Sequence, residues 1–485
     1  MLSARVCSPA PSTSAAEKRY SGAERRGLSD RGVLRIGPGR LGRTEETNMT
    51  DVTSHALSKK AAAVNSSLPQ RLLRATELDT RMLGMVGALA VIWIGFHIVS
   101  GGLFLTPRNL WNLSVQSASV AIMSTGMVLV IVTRNIDLSV GSLLGFVGMV
   151  MGVTQTEILP QWLGFGHLAI WIAAILVGVA LGALIGAMQG YIIAYLAVPS
   201  FIVTLGGLLV WRGAAWWVTS GRTVAPLDAT YRLMGGGPDG AIGAFWSWVV
   251  GLIACVALLL MLANGRKQRR KFHFPLRPVW AESLLAVMGC AFILGAVAVA
   301  NSYPWPSAIV RRYATENNIT VPEGGLFIAH GIAIPVLIAV GVGVVMTFLA
   351  NRTRFGRYVF AIGGNPEAAV LAGINTRWVT MKVFILMGAL VGISSAISTA
   401  RLNAATNAMG TLDELLVIAA AVIGGTSLGG GIGTIAGAMI GAVLMQSLAS
   451  GMILLGVDTP LQNIVVGIVL VVAVWLDTLY RKRVK

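Results

Sequence analysis

Few side chains in this 485-residue sequence could do chemistry, and most sit inside or beside apolar runs. Asp137 stands next to Ser139 and Ser142, while Asp413 and Glu414 open an apolar run. Acids within a membrane are costly, and they mark transport paths, proton relays and ion sites. At a membrane interface water would solvate all three cheaply. Asp137 can equally cap a helix whose first turn is Leu138-Ser139-Val140. Thr204, Thr426 and Ser427 are weaker hydrogen-bonding groups within apolar runs, as are Gln116, Ser119 and Gln446. Such residues either line a path or bridge helices. The candidate path residues are therefore Asp137, Ser139, Ser142, Thr204, Thr426 and Ser427. The spans hold almost no Lys or Arg, Arg212 excepted. An anion would need fixed positive charge on its way, so a neutral, hydroxyl-rich cargo such as a small sugar fits better.

No catalytic or metal set suggests itself. Cys7, Cys255 and Cys290 are widely spaced, and the five histidines are scattered, which gives neither a disulfide framework nor zinc spacing. There is no G-x-x-x-x-G-K-[ST], so this chain does not cradle ATP phosphates by that route and is expected to bind no cofactor itself. Gly235, Gly237 and Gly240 form a literal G-x-G-x-x-G, but Pro238-Asp239 inside it reads as a turn. H-E-x-x-H and G-x-S-x-G are both missing.

A second feature is mechanical. Residues 350–382 form a basic stretch containing Asn365-Pro366-Glu367-Ala368-Ala369-Val370-Leu371-Ala372-Gly373. Asn365 is a good N-cap and Pro366 suits the first helical position. Glu367 places negative charge at the positive helix end. Ala368, Ala369 and Ala372 favour helix, and Gly373 suits the left-handed position that ends one. The spacing predicts a helix of about two turns. A helix that short is unstable alone in water, so its Ala/Val/Leu face needs a partner surface.

The surrounding elements belong in a membrane. The chain is 55% apolar and 12% charged, with 58 glycines. That excludes a soluble enzyme, a disordered protein and a nucleic-acid-binding domain, and predicts an all-α polytopic membrane protein. Apolar runs lie near 82–100, 114–132, 138–154, 168–188, 199–218, 242–263, 281–300, 326–349, 383–400, 413–428, 431–449 and 460–476. Twelve spans are expected, with ten the competing count. The runs at 138–154, 199–218 and 413–428 are short or interrupted by polar residues, so those near 138–154 and 413–428 are candidates for short or re-entrant helices. The net charge is +17. Counted on alternate sides of the runs, nineteen Lys and Arg fall on one side and seven on the other. The rich side is expected to be cytoplasmic, with both termini there. Gly182-Ala-Leu-Ile-Gly186-Ala-Met-Gln-Gly190 echoes Gly433-Thr-Ile-Ala-Gly437-Ala-Met-Ile-Gly441. Each is a doubled G-x-x-x-G that lets helix backbones approach, and the echo suggests two related halves.

Residues 81–480 thus read as a transmembrane domain, including a 264–325 insertion and the 350–382 cytoplasmic loop. Residues 1–80 are rich in Arg, Ser, Gly and Glu and read as a disordered basic extension without a signal peptide. Residues 1–48 read either as an over-long gene model, with Met49 as the start, or as a basic cytoplasmic tail.

Glu367-Ala368-Ala369-x-x-x-Gly373 resembles the EAA coupling loop of ABC-importer permeases. The wider frame is similar to the ribose/xylose/arabinose branch: Asn135-Ile-Asp137-Leu-Ser139-Val-Gly141-Ser142, Val198-Pro199-Ser200-Phe201-Ile-Val-Thr204-Leu-Gly206 with Trp211-Arg212-Gly213, and Val422-Ile-Gly424-Gly425-Thr426-Ser427-Leu428-Gly429-Gly430-Gly431. The 264–325 insertion resembles the longer xylose-type members, which makes D-xylose the expected cargo. The resemblance implies an inner-membrane permease subunit, paired with a second copy and surrounded by lipid. It also implies a pair of ATPase subunits, which consume ATP and dock on Asn365, Pro366, Glu367, Ala368, Ala369 and Gly373, and a periplasmic sugar-binding protein. The permease itself would then be no enzyme. An ion-coupled secondary transporter of a small polar solute is the competing reading. It would need acids buried mid-span, whereas those of this sequence cluster near span ends.

Overall fold

The computed structural model describes residues 80–484, except 321, 323 and 324, together with Glu77; side chains are described for Glu77 and within 82–475. The disordered extension and the Met49 start expected within 1–80 lie almost wholly outside the described residues. Leu68–Lys485 form one compact unit.

The described residues are helical, with no β-strand among them. The chain begins with α1 (Thr80–Val99), α2 (Pro107–Val132) and α3 (Val140–Val153). A π turn, Thr154–Ile158, leads to α4 (Pro160–Leu163). Then come α5 (Ala169–Tyr195), α6 (Ser200–Trp217) and the short α7 (Ala229–Arg232). α8 (Gly243–Lys271) runs into the 264–325 stretch, which holds α9 (Val279–Asn301) and α10 (Ser307–Glu316). α11 (Ile334–Arg352), α12 (Arg354–Gly364) and α13 (Pro366–Leu371) lead into α14 (Thr376–Leu402). α15 (Asp413–Ile423), α16 (Ile435–Leu454) and α17 (Thr459–Val484) follow.

Each of the twelve apolar runs holds a helix. Among the described residues nine helices are long and apolar enough to cross a membrane. The other three show why the count stayed open. α6 carries Arg212, α15 has 11 residues, and the apolar part of α17, Thr459–Trp475, is short.

The run at 138–154 is not a short piece. Val140–Leu163 is one 24-residue span. The polar residues that end the apolar run do not end the helix, because their side chains bond back to it. Thr154, Gln155 and Thr156 donate to the carbonyls of Val150, Met151 and Gly152 at 2.7, 3.2 and 3.0 Å. The short helix expected over 413–428 is present as α15. Its length is about 16 Å, half of the roughly 30 Å hydrocarbon thickness. The irregular stretch 403–412 precedes it and runs along a glycine face of α3. Gly152 faces Ala405, Gly145 faces the Met409 carbonyl, and Gly141 faces the Gly410 carbonyl. Irregular backbone at membrane depth needs such protein cover.

α2 is the centre of the unit, buried along nearly all its length and packed by α11, α14, α15 and α16. α5 crosses α14 with main chain against main chain. A Cβ on Gly182 would land on the Gly388 carbonyl, and one on Gly186 on the Phe384 carbonyl. The second stripe behaves alike: Gly437 faces the Gly424 carbonyl and Gly441 the Ala420 carbonyl. Both echoes are therefore close-packing faces. Several polar residues of the apolar runs bridge helices. Ser394 donates to the Ser119 carbonyl (3.1 Å), and Gln446 to Gln116 (3.1 Å).

α8 and α9 pack on each other where Gly251 meets Val297 and Gly289 meets Leu258. Their outer faces expose Leu252, Met261, Val287 and Phe292, a surface suited to lipid rather than water. At their basic end Arg266 pairs with Glu282 (2.6 Å), and Arg269 and Arg277 converge on Glu77. The Arg269 guanidinium beside Glu77 holds that carboxyl down at about 2.

Candidate functional site

The first site is the capped helix α13. α11 ends at Arg352, and Thr353 caps α12 by accepting from the Gly356 N–H (3.2 Å). Asn365 then caps α13: its Oδ1 accepts from the Ala368 N–H at 3.0 Å. Pro366 occupies the first position and Glu367 the first turn. The helix stops at Gly373, with φ +78°. The Gly373 N–H donates to Val370 and the Ile374 N–H to Ala369, at 2.9 and 3.0 Å. That bond pair satisfies the last carbonyls and fixes the exit direction. Two residues on, Asn375 caps α14 by accepting from the Trp378 N–H (3.0 Å). Ala369 is buried against the body, whereas Val370 is 57% and Leu371 90% exposed. α13 thus presents two uncovered aliphatic side chains on a helix that cannot rearrange without breaking its caps.

The second site is a buried polar cluster around Asp137. Asp137 is 2% exposed, and its Oδ1 accepts from the Ser139 N–H (2.9 Å) and hydroxyl (2.7 Å). Gln189 of α5 donates to the Ser139 hydroxyl (3.0 Å), and the Ser142 hydroxyl donates to the Ser139 carbonyl (2.9 Å). Thr204 donates to the carbonyls of Ser200 (2.9 Å) and Ile136 (3.2 Å), and the Ile136 N–H donates to the Ser200 hydroxyl (3.3 Å). Four of the six path candidates, Asp137, Ser139, Ser142 and Thr204, therefore come together. Asp137 makes a side-chain turn onto Ser139, which is the residue at the N-cap of α3, so Asp137 does not itself cap that helix.

Thr426 and Ser427 lie elsewhere, in the glycine-rich link between α15 and α16. Thr426 has a buried hydroxyl with no partner, beside Gly433. Ser427 closes a turn: its N–H donates to Ile432 (2.9 Å) and its carbonyl accepts from Gly430 (2.9 Å).

Two of the three acids, Asp137 and Glu414, are buried, whereas Asp413 is half-buried. Glu414 is 6% exposed, with Oε2 unpartnered, against Gly141. Arg212 of α6 holds the approach to α15, donating from Nη1 to the carbonyls of Met409 (2.9 Å) and Asn407 (3.0 Å). A separate cavity of about 520 Å³ is lined by Gln155, Glu157, Arg222 and Asp228, and none of the six path candidates lines it.

Two participants escaped the sequence reading. Gln189 sits where the echoed stripe has Ile440, and that mismatch was its signal. The glycine face of α3, Gly141, Gly145, Gly148 and Gly152, was legible as a helical repeat.

The family model described as branched-chain amino acid transport system / permease component matches residues 109–267 and 280–474. The xylose transport system permease protein XylH of Escherichia coli strain K12 is 36% identical over 406 residues, 84% of this chain and 94% of that protein. The protein of the same name from Haemophilus influenzae is 36% identical over 412 residues, 85% of this chain and all of that protein. The ribose import permease protein RbsC of E. coli K12 is 32% identical over 375 residues, 77% of this chain and 87% of that one. No solved structure matches. With the full length of such relatives covered and the family model spanning most of the helices, the chain belongs to the family of branched-chain amino acid transport system permease components.

Proposed function

We propose that the chain is the transmembrane permease subunit of an ATP-driven ABC importer, and that its cargo is a small neutral sugar, D-xylose. The observation that carries the cargo is the 36% identity to xylose permeases over 94% and 100% of their length, against 32% to a ribose permease. The near absence of fixed positive charge within the spans supports an uncharged cargo.

In this reading two copies of the chain form the path, and a periplasmic sugar-binding protein delivers to it. A pair of ATPase subunits docks at Asn365–Gly373 on the cytoplasmic side, where both termini also lie. ATP is used by those subunits and not by this chain. The caps of α13 suit a lever, since a force on Leu371 cannot be absorbed by unwinding. The exposed Val370 and Leu371 fit an apolar groove on a partner. The Asp137 cluster, Thr426 and Ser427 would line or shape the path.

The test is co-purification followed by transport. The tagged chain is solubilised gently from native membranes, and its partners are identified by mass spectrometry. A stoichiometric ATPase subunit, with xylose uptake exceeding ribose and allose uptake in proteoliposomes, is expected. A chain that purifies without an ATPase and transports on an ion gradient would overturn the reading in favour of a secondary transporter. The buried Asp137 and Glu414 are the observation that keeps that alternative in view.

A further inference from the structure

Arg134 follows the end of α2 with φ +63°, a conformation that a side chain other than glycine rarely adopts. Its Nε donates to the Gly363 carbonyl (2.9 Å) and its Nη2 to the Gly364 carbonyl (3.0 Å). These are the last two residues of α12, and Asn365, the cap of α13, comes next. The cation also sits at the negative end of α12. The Arg134 side chain packs over Gly430 closely enough to leave no room for a Cβ there. The Gly431 N–H donates to the Val132 carbonyl (3.0 Å), and Gly363 lies under that carbonyl and the Gly431 nitrogen. Three parts therefore meet around Arg134: the end of α2, the α12–α13 junction held by its guanidinium, and the link from α15 to α16 packed on its aliphatic stem.

We propose that Arg134 is the positioning residue that transmits movement of α13 into the membrane domain. This rests on the reading of Asn365–Gly373 as the ATPase-docking segment. Gly363-Gly364 is a pair of residues with wide conformational freedom directly behind the lever. Left free, it would absorb a displacement of α13 by rotation. Arg134 ties both carbonyls to a fixed frame and removes that freedom. The movement is passed on in two directions. One runs through Gly430-Gly431 to α15 and α16. The other runs along the chain to Asp137, three residues on, whose loop is bonded to α6 through Ser200 and Thr204. The planar fork of arginine spans two adjacent carbonyls, whereas lysine is a single point charge. The side chain is exposed, so its loss touches little of the packed core.

The experiment uses the assembled importer in proteoliposomes, with sugar-loaded binding protein, and compares Arg134→Ala and Arg134→Lys with the native chain. Four readouts are taken: ATPase co-purification, melting temperature, hydrolysis stimulated by the binding protein, and sugar moved per ATP. Arg134→Ala should keep its ATPase partner and its melting temperature while moving about tenfold less sugar per ATP. Arg134→Lys should recover only part of that loss. An unchanged ratio of sugar to ATP in Arg134→Ala overturns the proposal. Loss of the ATPase or a lowered melting temperature also overturns it, since Arg134 would then be a structural cap. If the native chain brings no ATPase, the functional reading itself has failed, which the native control reports separately.

Discussion

Gly182 and Gly388 meet main chain to main chain, each occupying the space that a Cβ on the other would need. No side chain lies between α5 and α14 at that point. The consequence for substitution is direct.

Gly388→Val should destabilise the chain by at least the roughly 1–3 kcal/mol typical of overpacking, because the obstacle is backbone that cannot turn aside. Gly87 in α1 has open space around it, so Gly87→Ala should be neutral or slightly stabilising. Detergent-solubilised melting curves compare the two. Equal behaviour of both variants would contradict the crossing.

Glu367→Pro and Gly373→Leu should abolish uptake while the chain still inserts. Leucine at φ +78° is strained, and the exit direction of α13 depends on that residue. Asn365→Ala should weaken the cap by about 1 kcal/mol and lower uptake less severely. Uptake and membrane content measured together separate coupling from insertion; normal uptake in Gly373→Leu sinks the assignment.

Asp137→Asn keeps an oxygen that can accept from Ser139, so it should transport nearly as the native chain does. Asp137→Ala removes the acceptor for two buried donors and should cost about 1–3 kcal/mol. A transport-dead Asp137→Asn with native stability would instead place the charge itself on the path.

Arg212→Lys should not replace arginine. One nitrogen of Arg212 holds the Asn407 and Met409 carbonyls, and hydrogen bonds from charged groups contribute about 1.5–3 kcal/mol. The shorter reach of lysine should leave residues 403–412 more open to limited proteolysis than in the native chain. An identical digestion pattern would remove Arg212 from its holding role.

His330 stacks on Tyr303 with ring centroids 4.2 Å apart, and burial lowers its pKa below 6.5. The folded state therefore binds the proton less readily than the unfolded chain. The stability held by the neutral ring is complete above 6.5 and falls as pH drops below it. Protection factors in the 325–333 stretch, corrected for the pH dependence of intrinsic amide exchange, should fall between pH 7.5 and 5.5, and His330→Gln should abolish that fall. A pH-independent native protein would exclude the effect.

Much of this was legible before any coordinates. Each of the twelve apolar runs located a helix, and the doubled glycine stripes named both close crossings. The caps of α13 could be read residue by residue, because Asn365, Pro366 and Gly373 act locally. The misjudged parts were those in which a distant segment decides. The span from Val140 continues past Thr154 because its polar side chains turn back onto the helix, which apolarity does not register. Asp137 and Glu414 looked interfacial because sequence shows where a residue lies along the chain but not what folds over it. The partnership of Ser139 with Gln189, fifty residues apart in sequence, has no local signature at all.

Between α13 and α14 lie only residues 372–375, and each of them is committed. Ala372 and Gly373 finish one helix, the Ile374 N–H is held by Ala369, and Asn375 begins the next helix. A connection of this kind has no slack. The short helix is therefore seated directly on the base of a rod of 27 residues, about 40 Å long. Glycine contacts fix that rod to α5 at four successive turns. The chain is therefore built here less like a string of helices than like a bracket, with the short helix seated on two rods that are locked to each other.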